Sequence, residues 1–509
     1  MTYSFNLLLE PWIPLTDIQG KSVQLGLWDT LLRAQHLREI RSSYPLETAA
    51  LYRLLLAVLH RVYGPPDVEE WDGLWAAGRW EPGPLEAYLG RHRDRFDLFH
   101  PRYPFMQRPD ERVPEKGVSK LAYQFASGNN PTLFDHNLDD GGLALEPARA
   151  ARLLLAAMSF GLGGLSGLRE RKFTDCPAAR SVLFMVLGYT LFETLALNLL
   201  RYPDSGNPWP QAADDRPAWE MDDPCEPDRE WPLGYLDYLT WHNRRILLFP
   251  TEENGRVVVR TMTEGPGLRL SADLERPDPM VSYSRGKRTG YRPLSFRPGR
   301  ALWRDSSTLL RRTGEAAQAP RIFDWLAELE LESTLPEARL RRTLALGMAT
   351  DPGKQKVFFF RSEQLPLPTA YLLEDDLVQR LDQAILMVEA AARQLWGATA
   401  SLATEILAPG KDRRADKRDV NNMVTSWAVE PRYWPGLEIP FHELLVELPS
   451  RPEALAGWQK TISQTAWSAF DQVADNLGRD PVTLRAVVTA RDQLAAGLAK
   501  ALPRANGEA

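Results

Sequence analysis

The feature that most constrains this chain is a change of pattern near Pro368, beyond which apolar residues recur at helical spacing alone. Asp375-Asp376 reads as a cap before a stripe of Leu377, Leu381, Ile385, Val388 and Leu395. A second helix is expected over residues 420–429. Trp458, Ile462, Ala469 and Val473 mark a third, and Leu484, Val487, Leu494 and Leu498 a fourth. Asp480-Pro481 supplies an N-cap followed by proline at the first helical position. Four helices in a segment of about 130 residues predict a bundle.

Upstream the pattern is irregular. Helices are expected over residues 46–62, with Leu51, Leu54, Leu55, Val58 and Leu59 on one face, over Pro147–Phe160, and over 177–200. Strands are expected at 245–249 and 256–262, joined by the turn-rich Thr251-Glu252-Glu253-Asn254-Gly255, and at 280–284, 292–296 and 356–360. Residues 202–231, rich in Pro, Asp and Trp, read as a long surface loop. The fold class is therefore α+β: a large irregular mixed N-terminal domain over residues 1–370, followed by an all-α C-terminal four-helix bundle over 371–509. At 509 residues the chain exceeds one ordinary core, which fits this division.

Hydrophobic residues at 44% and charged residues at 25% match a globular protein. The net charge of −6 argues against a sequence-indifferent DNA coat and favours local contacts within a larger assembly. Two cysteines, Cys176 and Cys225, cannot form a four-thiolate zinc site, so no metal and no cofactor are expected. No secretory leader is visible, which makes the cytoplasm the default location. The apolar run 182–200 is interrupted by Thr190, Glu193, Thr194 and Asn198 and reads as a buried core helix, not a membrane span.

Four segments carry candidate chemistry. In Gly161-Leu162-Gly163-Gly164-Leu165-Ser166-Gly167, four glycines within seven residues leave backbone N–H groups uncovered, so the chain can press against a phosphate or base edge. Arg169, Arg171 and Lys172 add positive charge. The dinucleotide fingerprint would need Gly where Ser166 stands, and the P-loop a Gly-Lys-Ser/Thr ending; both follow a strand, whereas this cluster follows a helix. A simple C-cap and connection is the alternative reading.

Residues 285–312 hold Arg285, Lys287, Arg288, Arg292, Arg297, Arg300, Arg304, Arg311 and Arg312 against one acid, Asp305, with Tyr283, Tyr291 and Phe296 nearby as flat surfaces. Phosphate is the natural partner, a solvated face the alternative. Ser284-Arg285-Gly286-Lys287-Arg288-Thr289-Gly290 reads as a hairpin tip, which can enter a minor groove. Asp351-Pro352-Gly353-Lys354-Gln355-Lys356 forms a tight polar turn before the strand Val357-Phe358-Phe359-Phe360, which by itself reads first as an ordinary hairpin turn, with a rigid wedge as the alternative. Ser127-Gly128-Asn129-Asn130-Pro131 combines amide donors and acceptors with a turn that can approach RNA or a duplex edge, simple turn capping being the alternative. Lys411, Arg413, Arg414, Lys417 and Arg418 sit among acids in a linker between helices. The seven histidines are scattered, and Asp135-His136 is the one adjacent pair worth testing as acid/base machinery, so no catalytic group is assigned and a non-enzyme is expected.

The Gly161 cluster and the loop Ser127-Gly128-Asn129-Asn130-Pro131-Thr132-Leu133-Phe134-Asp135-His136, with the opening Phe5-Asn6-Leu7-Leu8-Leu9-Glu10-Pro11-Trp12-Ile13-Pro14 and residues 46–64, resemble the large subunit of the type I-E CRISPR Cascade surveillance complex, the CasA family. Trp231-Pro232-Leu233-Gly234-Tyr235-Leu236-Asp237-Tyr238-Leu239-Thr240-Trp241 and the C-terminal helices extend the resemblance over essentially the whole chain. It implies a non-catalytic subunit that recognises the protospacer-adjacent motif (PAM) in double-stranded DNA and promotes duplex opening. Gly161, Gly163 and Gly164 then approach the DNA. Lys287, with Arg285 and Arg288 as alternatives, reads the groove, and Gln355 is the wedge, flanked by Gly353, Lys354 and Lys356. Residues 124–140, including Gly128, Asn129 and Asn130, correspond to a loop that meets the 5′ handle of the CRISPR RNA and its anchoring subunit. The resemblance further implies docking onto guide-RNA-bearing subunits and recruitment of a separate nuclease-helicase. The alternative is a structural RNA or protein scaffold without direct PAM readout.

Overall fold

The computed structural model describes residues 3–121, 142–202, 214–286, 290–310, 317–336, 340–351, 355–409 and 415–502. The chain divides into two compact units, Met1–Pro298 with Arg312–Gln364, and Gly299–Arg311 with Leu365–Ala509.

The first unit mixes helices with small antiparallel sheets. Strands β1 (Ile13–Asp17), β2 (Ser22–Leu25) and β3 (Leu37–Ile40) form one in the order β2-β1-β3. The expected hairpin is present as β6 (Arg244–Glu253) and β7 (Arg256–Pro266), with β4 (Lys116–Gly117) on the far side of β7. A third sheet is built from β5 (Val182–Leu187), β11 (Leu340–Thr350) and β12 (Val357–Pro368), in the order β12-β11-β5. The fourth joins β8 (Tyr283–Arg285), β9 (Tyr291–Pro293) and β10 (Ala317–Gln318) in the order β10-β8-β9.

The Pro45–Tyr63 helix forms the centre, with every residue from Leu46 to His60 buried. It packs on the Pro147–Phe160 helix and on β11. A helix buried on all sides belongs in a core, and its buried Glu, Arg and His are each accommodated. Glu47 accepts Arg149 and Arg152 at 2.9 and 3.1 Å, Arg53 pairs with Asp278 at 2.5 Å, and burial lowers His60 to about 4 so that it stays neutral.

Two expectations are corrected here. Residues 177–200 are not one helix: Val182–Leu187 is a strand paired with β11, and a short helix, Leu191–Leu197, follows. A run buried on both faces has no period to distinguish strand from helix. Gly188 separates the two elements, where a Cβ would fall 2.3 Å from that of Glu193, and the Thr190 hydroxyl caps the new helix by accepting Glu193 N–H at 3.1 Å. Residues 214–231 are also not a surface loop, since Asp215, Trp219, Met221 and Cys225 are buried. Asp215 accepts the N–H groups of Leu236 and Asp237 at 3.0 Å each, capping the Tyr235–Leu239 helix, and Trp219 packs on Phe96.

In the second unit, the Asp375–Leu407 helix buries the expected stripe, although Glu374 and not an aspartate occupies the N-cap. The Lys417–Ser426, Ala454–Ala474 and Pro481–Ala501 helices pack against it. Asp480 caps the last by accepting Val482 and Thr483 N–H at 3.0 and 3.1 Å. Lys417 and Arg418, read from sequence as linker charges, open a helix capped by Asp416. The longest helix not expected is Pro435–Glu447, which packs on Ala454–Ala474. Its buried Leu437, Phe441, Leu444 and Leu445 do have helical spacing, but Pro440 inside it masks the signal. Among the described residues no helix is long and apolar enough to cross a membrane.

Candidate nucleic-acid interface

The Pro147–Phe160 helix delivers the chain into the glycine cluster, and Gly161 continues the last turn by donating to Ala157 O at 2.9 Å. There is no room for a side chain at Gly161: a Cβ would lie 2.8 Å from Ala157 O and 2.9 Å from Cys176 Sγ. Cys176 is buried, and burial pushes its thiol up to about 11, so it remains a protonated donor toward Ala157 O and Asn243 Oδ1. Gly164 and Phe173 exchange two backbone hydrogen bonds of 2.9 Å, which closes the intervening loop. Arg244, 2% exposed, holds the loop from below by donating to Leu162 O at 3.0 Å and Thr174 O at 2.9 Å. Its guanidinium lies 4.5 Å from the Phe173 ring centroid.

The glycine loop and the glutamine turn meet. Gln355, exposed near the end of the turn into β12, donates from Nε2 to Gly163 O at 2.5 Å. Its amide lies over Gly164 so closely that a Cβ there would fall 1.2 Å from Nε2. The turn itself is closed by Asp351 N–H donating to Lys356 O at 2.9 Å. Two residues that sequence reading did not single out brace the pair. Asp175 Oδ1 accepts Gly163 N–H at 2.6 Å, while Asp175 Oδ2 accepts Arg180 Nε at 2.6 Å. Arg180 Nη1 then donates to Thr350 Oγ1 at 3.1 Å and Asp351 O at 2.9 Å. No local sequence signal could have found this, because Arg180 and Thr350 lie 170 positions apart.

The family model of the CRISPR-associated protein Cse1 matches residues 6–469 of this chain. CasA/Cse1 of Thermus thermophilus is 34% identical over 502 residues, covering 95% of each chain. The chain belongs to the Cse1 family. The crystal structure of Thermobifida fusca Cse1 superposes with a TM-score of 0.84 at 26% identity, covering 99% of both chains. A chain of a CRISPR RNA-guided surveillance complex superposes at 0.79 and 26% identity, covering 97% of this chain and 99% of that one.

Within this Cse1-family fold the basic stretch 285–312 is divided between the two units. Arg300 and Arg304 are consumed in the second unit by Asp305 and Glu389, at 2.6 to 3.0 Å. Tyr283 and Phe296, expected as stacking surfaces, are 5% and 4% exposed, and Arg361 covers Phe296 at 5.3 Å. Arg171 is neutralised by Asp228 at 2.9 Å, whereas Arg169 and Lys172 are exposed. The base of the expected hairpin is present as β8 and β9, with Gly286 N–H donating to Gly290 O at 3.1 Å. Arg285 is exposed and makes no side-chain hydrogen bond or ion pair among the described residues. Lys287, Arg288, Gly353 and Lys354 lie outside the described residues, as do Gly128, Asn129, Asn130, Asp135 and His136.

Proposed function

We propose that this chain is the non-catalytic large subunit of an RNA-guided surveillance complex of the Cascade type, recognising the PAM in double-stranded DNA and promoting duplex opening. Residues 1–370 serve as the recognition domain and 371–509 as a helical bundle. The glycine loop approaches the DNA backbone, the β8–β9 tip, through Lys287 with Arg285 and Arg288 as alternatives, reads the groove, and Gln355 enters the first base-pair step. The opened strand then pairs with guide RNA, which replaces duplex stacking of about 1.4 kcal/mol per step. The loop containing Gly128, Asn129 and Asn130 contacts the 5′ handle of the RNA. Docking onto guide-RNA-bearing subunits precedes recruitment of a separate nuclease-helicase.

The observation that carries this reading is the seating of Gln355 on the backbone of Gly163 and Gly164, 192 positions away in the case of Gly163. It turns two separately recognised motifs into one exposed element, braced at its base by Asp175 and Arg180. Such an element suits an approach to phosphate followed by entry into a base step. The testing experiment reconstitutes the complex with and without this chain and measures binding to duplexes that differ only at the PAM, at one fixed salt concentration. PAM-dependent affinity that vanishes without the chain is the expected result. Unchanged discrimination without it would leave the chain a scaffold.

A further inference from the structure

The contacts of Arg180 form part of a closed circuit. Gly163 N–H binds Asp175, Asp175 binds Arg180, and Arg180 binds the carbonyl of Asp351 at the mouth of the glutamine turn. Across that turn, Gln355 returns to Gly163 O. Arg180 reaches the third motif as well. Its main-chain carbonyl accepts Ser295 Oγ at 2.5 Å, just beyond the Tyr291–Pro293 strand of the hairpin, and two residues on, Val182 N–H donates to Leu294 O at 2.8 Å. One residue therefore touches the supports of all three segments proposed to meet DNA.

We propose that Arg180 is a positioning residue whose side chain holds the glycine loop and the Gln355 turn in one register, beside the β8–β9 base that its main chain anchors, so that the wedge does not yield on entry. This rests on the recognition reading above. The guanidinium suits the task because its planar fork presents several donors in fixed directions. Nε and Nη1 are directed to the acidic side chain of one segment and the backbone carbonyl of the other. A lysine ammonium at this position would satisfy one segment or the other. Side chains of Arg180 and Asp175 are 28% and 39% exposed, so the pair adds little to global stability and its value lies in direction. Without it, the turn can yield when Gln355 meets a closed base pair, while the groove contacts, made at the tips, persist.

The test uses the reconstituted complex carrying full-length Arg180→Gln, Arg180→Lys or Asp175→Asn. The last keeps an acceptor for Gly163 N–H and removes the charge, which covers the case in which an Arg180 variant fails to fold. Each complex is offered a closed duplex with the PAM, a closed duplex without it, and a PAM duplex already unpaired over its first few positions. A fluorescent adenine analogue beside the PAM reports opening. With all three variants, opening of the closed duplex slows about tenfold, the scale of one lost charge-assisted hydrogen bond. Affinity for the pre-opened duplex stays within about twofold of the parent. Equal losses on closed and pre-opened DNA, or no loss on either, would overturn the proposal. Failure of the recognition reading is separately visible, because the parent complex itself would then not distinguish the two closed duplexes.

Discussion

The Asp375–Leu407 helix buries Leu381, Val388, Leu395 and Leu402 along one stripe, each at 1% exposure or less. The glycine loop leaves Leu165 83% exposed and is held by Arg244, by the Gly164–Phe173 backbone pair and by the Asp175–Arg180 link. In the helix, volume is the constraint, and many apolar sequences of that pattern would fold alike. In the loop, direction is the constraint, and a few polar atoms aim a segment that has little apolar surface of its own to bury. The first arrangement resists unfolding; the second fixes the direction of an exposed stretch of backbone.

This contrast can be broken or sharpened by three substitutions. Leu395→Ala should have the largest effect on stability, about 2–5 kcal/mol by denaturant unfolding of the full chain, because it opens a cavity in a packed stripe. A loss below about 1 kcal/mol would mean that the helical unit is not held by volume. Gly161→Ala comes next, at about 1–3 kcal/mol in the same assay, because its Cβ meets backbone and a buried thiol that must shift. Gly164→Ala should cost least, under about 1 kcal/mol, since the obstructing atoms belong to the far end of an exposed glutamine. Duplex opening should nevertheless fall to the level of Gln355→Ala, and the double variant should fall no further. An additive loss in the double variant would separate the two residues.

Legibility in the sequence followed the same division. The Pro147–Phe160 and Asp375–Leu407 helices and the β6–β7 hairpin could be anticipated, because each has a clear period or turn that tertiary structure leaves intact. Val182–Leu187 was misread because burial on both faces erases the period, and β11 was missed because its Leu- and Ala-rich run resembles a helix. Gly347 was the overlooked clue within β11: a Cβ there would lie 2.7 Å from Ser181 O, so it marks a close backbone approach. The candidate site was legible as separate motifs. Their junction was not, since neither the seating of Gln355 nor the role of Arg180 leaves a local pattern.

The seating of Gln355 also has a hereditary consequence. A side chain at position 164 and a long amide at position 355, in its present rotamer, would claim the same space. Position 164 cannot take a side chain while residue 355 keeps that length and rotamer. A lineage that replaced Gly164 would first have to shorten or redirect residue 355, and one that shortened residue 355 would lift the ban on side chains at 164. Although far apart in the chain, the two positions share one space, and a side chain at 164 has to be matched by a change at 355.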